Sequence, residues 1–140
     1  MNMVLQMSAE SGCLRVEASG KFSLAEAKSK FLEILEAVER HKAGKVLFDG
    51  RGLKGNLGTI ERFYYGAFAA RAAAEYAVRN RCASPEFAYV LQVPVLDPHR
   101  FGEVVAANRG LRVRTFDNLN DACAWLGLAV AGSPDAGDGK

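Results

Sequence analysis

The chain has 140 residues, enough for one domain that buries roughly 70% of its unfolded surface and needs neither metal nor disulfide to hold a core. A 49% hydrophobic and 24% charged composition is that of a soluble globular protein, and a net charge of +2 excludes the concentrated basic stripe of a nucleic-acid-binding domain. Cys13, Cys82 and Cys123 are odd in number and form no C-x-x-C pair; with only His41 and His99 beside them they exclude a zinc site and read as reduced thiols in a cytoplasm.

Val4-Leu5-Gln6-Met7 reads as a first strand and Glu10-Ser11-Gly12 as a turn. Leu14, Val16 and Ala18 then alternate with Arg15, Glu17 and Ser19, the period of a half-buried strand, so the chain is expected to open on a β-hairpin. Met1 to Gly12 lacks the basic start and long apolar run of a secretion signal, and no apolar stretch approaches the ~18 residues that span a bilayer.

Ser23-Leu24-Ala25-Glu26 matches a capping box, with Phe22 placed to staple over Ala27. Leu24, Ala27, Phe31, Ile34, Leu35 and Val38 form the apolar stripe of a first helix, with Glu26–Lys30 and Glu36–Arg40 as outward pairs and Gly44 as its close. A third strand, Lys45 to Phe48, ends in Asp49. A loop with Gly50, Gly52, Gly55 and Gly58 follows, and Thr59 is the expected N-cap of a second helix. On that helix Ile60, Phe63, Tyr64, Ala67, Ala74 and Val78 share one face, and Tyr65, Ala69, Ala72 and Tyr76 make a second line. Arg71 falls within the arc expected to face the core.

Phe87 to Val93 is the apolar run of a central strand. Asp97-Pro98 reads as an N-cap followed by proline at the first helical position, with Phe101, Val104 and Val105 inward and Gly110 at the end. Leu111, Val113 and Thr115 alternate in a last strand, and Asn118 to Gly127 is a short closing helix. From Ala131 on the composition is that of a disordered tail, so the expected division is a domain over 1–128 and a tail over 129–140. The order of elements predicts an α/β domain with a mixed sheet of about five strands covered by about four helices.

The functional signals are few. Gly50-Arg51-Gly52-Leu53-Lys54-Gly55 spells G-x-G-x-x-G, but it follows the third strand, and the next helix begins beyond the last glycine. No acidic residue ends a following strand, so the segment reads as a glycine-rich turn rather than a dinucleotide site. No nucleophile–base pair, metal cluster or cofactor motif appears, which predicts a protein that is not an enzyme and takes no cofactor or metal. Asp49, Arg51, Lys54 and Thr59 gather where a strand end meets a helix start, the usual working edge of α/β folds. Capping of local amides by Asp49, with solvated bases beside it, competes there with binding of a partner. Phe63, Tyr64, Phe68 and Phe101 are the candidates for a pocket holding an apolar or anionic ligand, against the alternative that they are core. Tyr65 and Tyr76, apolar on a second side of the long helix, are the candidate contacts of a homodimer, unless the chain's own N-terminal segment or tail covers them.

Val46-Leu47-Phe48-Asp49-Gly50-Arg51-Gly52-Leu53, Asp97-Pro98-His99-Arg100-Phe101-Gly102, Ala107-Asn108-Arg109-Gly110 and the closing Thr115 to Gly127 segment together resemble the SpoIIAA-like branch of STAS-type domains. The resemblance spans roughly residues 1–128. It implies a mixed sheet covered by helices and a regulatory or protein-interaction module working with a protein partner. In the anti-sigma-factor antagonists of that group, a serine in an Asp-Ser-Ser-Gly segment at the start of the second helix is phosphorylated to control partner binding. This chain departs from that pattern with Asn56-Leu57-Gly58-Thr59-Ile60, where Thr59 is the one hydroxyl. Related folds of the CRAL-TRIO kind bind lipids, which makes a small-molecule or lipid carrier the alternative function.

Overall fold

The computed structural model describes residues 2–128; the expected tail over 129–140 lies outside the described residues. Five strands form one sheet in sequential order: β1 (Val4–Glu10), β2 (Cys13–Lys21), β3 (Lys45–Lys54), β4 (Glu86–Val90) and β5 (Val113–Phe116). β1 and β2 form the antiparallel hairpin, and the remaining pairs are parallel. The crossovers carry α1 (Leu24–His41), α2 (Thr59–Asn80) and α3 (Phe101–Asn108), and α4 (Leu119–Leu126) ends the described chain. The α/β architecture is therefore the expected one.

Crossovers of one hand joining strands in unbroken order place their helices on the same face of a sheet. The core divides accordingly. α1, α2 and α3 bury Phe31, Ile34, Val38, Ala69, Ala73 and Ala106 against Val16, Val46, Phe48 and Phe87. α4 alone covers part of the other face, where Ala122, Cys123 and Leu126 meet Cys13, Leu47, Ala88 and Val90.

α1 starts as its capping box requires: the Glu26 amide donates to Ser23 Oγ at 3.2 Å. Glu26 does not pair with Lys30; its carboxylate accepts from the Met3 amide at 3.3 Å, and Lys30 turns to Glu33. The helix closes on Lys42 in the left-handed region, with the Ala43 amide reaching the Val38 carbonyl at 3.0 Å, and not on Gly44. Gly44 instead donates to the Gly12 carbonyl, tying the hairpin turn to the start of β3. α3 begins later than Pro98. Asp97 still caps, accepting from the Phe101 amide at 2.8 Å, but His99 lies in the turn before the helix and Val104 is exposed.

Two corrections bear on function. β3 does not stop at Asp49. It continues to Lys54 because Gly52, Leu53 and Lys54 pair with Ser19, Gly20 and Lys21, so most of the glycine-rich loop is strand. The register steps from Glu17↔Asp49 to Ser19↔Gly52, which leaves β3 one residue longer than β2 at a bulge across Gly50 and Arg51. A side chain at Gly50 would run within 2.7 Å of Leu91 and 2.9 Å of Phe48, so the bulge needs glycine there. Its other consequence is a reversal of alternation: Leu47, Asp49 and Arg51 point to one face, and Leu53 returns to the helix-covered face.

The second correction is the orientation of α2. Its buried residues are Gly66, Ala69, Ala70, Ala72, Ala73 and Tyr76, while Ile60, Tyr64 and Val78 are 70%, 51% and 79% exposed, and Arg71 is solvated. Small residues face inward because α3 lies almost on the helix: a Cβ at Gly66 would come within 2.6 Å of the Gly102 carbonyl oxygen. The N-cap is Gly58, with its amide donating to Glu61 Oε1 at 2.9 Å, and Thr59 is the first helical residue.

Candidate functional site

The bulge in β3 aims Asp49 and Arg51 at the face of the sheet that α4 leaves open. Arg51 Nε and Nη2 donate to the two carboxylate oxygens of Asp49 at 2.9 and 2.8 Å, and the Arg51 amide adds a third bond at 3.2 Å. This fork holds the Asp49 carboxyl below the usual carboxylate range, the Arg51 side chain being the largest cause, against the opposing effect of burial. The pair lines an open groove together with Val4 and Gln6 of β1, Glu17 and Ser19 of β2, and Gln92. Lys54 ends the same strand, its carbonyl accepting from the Phe22 amide at 2.9 Å, and Thr59 stands exposed at the start of α2. Among the described residues neither Lys54 nor Thr59 bonds to the Asp49–Arg51 pair or lines the groove.

The second concavity lies on the helix-covered face. It is a partly open cavity of about 110 Å³ lined from α1, α2, α3, the ends of β3 and β4, and the segment after β4. Its walls are mainly apolar, with Phe31, Phe48, Tyr65, Tyr89, Leu91 and Val113 among them. Phe63, Tyr64, Phe68 and Phe101 do not line it. On a helix that turns ~100° per residue, Arg62, Tyr65 and Gly66 share the inward stripe, and residues 63 and 64 fall to either side. Phe63 instead lies under the Arg109 guanidinium at 5.3 Å, and Phe68 packs edge-on to Phe31.

Tyr65 is likewise no dimer contact. It packs edge-on against Phe22, Phe31 and Tyr89, and its hydroxyl lies 2.8 Å from that of Tyr89. Tyr76 is 5% exposed and belongs to the main core. Among the described residues, the chain's own helices and sheet bury Tyr76 and pack against Tyr65. Burial pushes the Tyr65 hydroxyl up to about 12 and that of Tyr89 well above its ordinary value, so both keep their protons. Burial also raises Cys13 of β2 and Cys123 of α4, which behave as apolar residues in the core between α4 and the sheet; Cys82 is exposed.

Arg62 was not singled out by sequence. It donates to the carbonyls of Pro94 and Val95, both at 2.9 Å, and so fastens the segment after β4 over the cavity. Glu103 on α3 accepts from the amide and hydroxyl of Thr115, at 2.9 and 2.6 Å, and closes the cavity on the β5 side. A single arginine or glutamate on an amphipathic helix carries no signal that separates such roles from solvation. Among the described residues no helix is long and apolar enough to cross a membrane.

No family model matches the sequence, and no curated protein matches it. Among solved structures, the chain is similar to an anti-sigma factor antagonist from Mycobacterium paratuberculosis, with 14% identity, a TM-score of 0.54, and 90% of this chain and 95% of that one covered. It also matches an uncharacterized protein with a SpoIIAA-like fold from Shewanella loihica, with 16% identity, a TM-score of 0.48, and 89% and 93% covered. The chain thus has the SpoIIAA/STAS-like fold, five strands in a mixed sheet with four helices.

Proposed function

We propose that this protein is a non-enzymatic regulatory module that binds a protein partner, and that docking uses the Asp49–Arg51 groove together with Lys54 and Thr59. The observation that carries this reading is the fold, which is similar along nearly its whole length to that of an anti-sigma factor antagonist, a protein whose described role is to engage another protein. The groove supports the choice of surface. It lies where α4 leaves the sheet uncovered, and a side chain fixed by two parallel hydrogen bonds gives a partner a pre-ordered polar feature to read. Arg51 Nη1 is free of the fork and provides donors for a partner's acceptors. The protein works in the cytoplasm on this reading, with its thiols reduced.

Affinity capture from the native cell, compared between the wild-type chain and Arg51→Glu and Lys54→Glu variants, tests this. A specific partner retained by wild type and lost from both variants supports the surface. The same partner retained equally by all three contradicts it.

A further inference from the structure

The Tyr65 and Tyr89 hydroxyls face each other at 2.8 Å in the cavity wall, and among the described residues no other protein group bonds to either. Two hydroxyls own two protons, and their mutual contact uses one. The second proton has no protein acceptor, although protein encloses both groups and burial keeps both protonated. A buried donor left without an acceptor is costly, and such groups are ordinarily satisfied by a ligand or an ordered water. Of the charged groups in the wall, Arg62 bonds the carbonyls of Pro94 and Val95, Asp97 the amides of His99 and Phe101, Glu103 Oε1 bonds Thr115, and Lys30 pairs with Glu33; Arg100 lines the wall as well. The hydroxyl pair therefore leaves one uncommitted donor in a wall that is mainly apolar.

We propose that the cavity binds one small, largely apolar molecule with a hydrogen-bond acceptor, and that the Tyr65–Tyr89 pair donates to that acceptor and selects for it. The size follows from the volume. A cavity of about 110 Å³ is near the roughly 150 Å³ that takes up a benzene ring, so the occupant is the size of a single ring rather than an acyl chain. The largely apolar character follows from the walls, where Phe31, Phe48 and Leu91 offer no partner to a polar group. The cavity and the Asp49–Arg51 groove lie on opposite faces of the sheet.

The test is an NMR titration of the full chain with cyclohexanone, cyclohexane and dodecanoate, following resonances of Tyr65, Tyr89, Leu91 and Val95. Cyclohexanone is expected to shift these resonances. The ratio of its affinity to that of cyclohexane is expected to fall about five- to tenfold in a Tyr65→Phe/Tyr89→Phe variant, the size of one net hydrogen bond. The variant keeps both rings and reports its own fold through cyclohexane binding. An unchanged ratio, no shift with any probe, or preferential binding of dodecanoate at these residues each overturns the proposal.

Discussion

The two faces of the sheet obey different rules. On the face under α1, α2 and α3, aromatic rings and alanines interlock around Phe31 and Phe87, and the polar groups are few and mostly bonded to one another. On the face that α4 half covers, Arg15, Glu17, Asp49 and Arg51 meet solvent, and the best-formed feature is an ion pair with the Arg51 side chain 44% exposed. One strand serves both. The bulge across Gly50 and Arg51 sends Asp49 and Arg51 to the open face and Leu53 to the covered one. Stability should therefore concentrate on the covered face and partner docking on the open one.

Substitutions on the covered face are expected to have the largest effects. Phe31 is fully buried against Tyr65, Phe68 and Phe87, and Phe31→Ala should cost about 3–5 kcal/mol in urea unfolding. A loss below about 1 kcal/mol would show that this core is not packed as described. Gly66→Ala sharpens the comparison because two effects oppose. Alanine favours the helix by about 1 kcal/mol. Its Cβ would nonetheless meet the Gly102 carbonyl oxygen at 2.6 Å, and backbone cannot swing aside as a side chain can. Overpacking should win, with a net loss of about 1–3 kcal/mol.

Arg51→Ala on the open face should change stability by about 1 kcal/mol or less, since the pair it breaks is solvent-screened. Its clearer effect is on titration. Asp49 is held below its ordinary value of 3.8 by Arg51, so the pair's contribution is present above that value and is lost as pH falls through the depressed folded value. In Arg51→Ala the Asp49 carboxyl should titrate closer to 3.8, and that part of the acid dependence should disappear. A carboxyl-detected NMR titration giving the same Asp49 midpoint in both proteins would break the account of the fork. The smallest effect belongs to the outer line of α2, where Val78→Ala, at 79% exposure, should stay within about 0.5 kcal/mol.

Much of the fold was legible in the sequence because local and global preferences agree there. Ser23 and Glu26 announce α1, its stripe is regular, and Asn118 and Gly127 bracket α4 as their types suggest. α2 was misread because alanine is compatible with either face. Its larger apolar residues, Ile60, Tyr64 and Val78, share one face, yet that face is the exposed one, because close approach by α3 selects small residues for the inward side. The second half of β3 was hidden by its glycines. They usually mark a turn, whereas here Gly50 makes room for Phe48 and Leu91, a requirement that only the folded neighbours impose. The Asp49–Arg51 pair was legible as two polar residues at a strand end. The cavity was not, since Tyr65 and Tyr89 meet from elements 24 residues apart and nothing local links them.

The division of labour between the two faces is tested most directly by mapping a co-purified partner onto the chain by hydrogen exchange. The account predicts added protection at Glu17–Ser19, Asp49–Lys54 and Thr59, with the amides of α1 unchanged. Protection confined to the outer line of α2, at Ile60, Tyr64 and Val78, with Asp49–Lys54 unaffected, would contradict it.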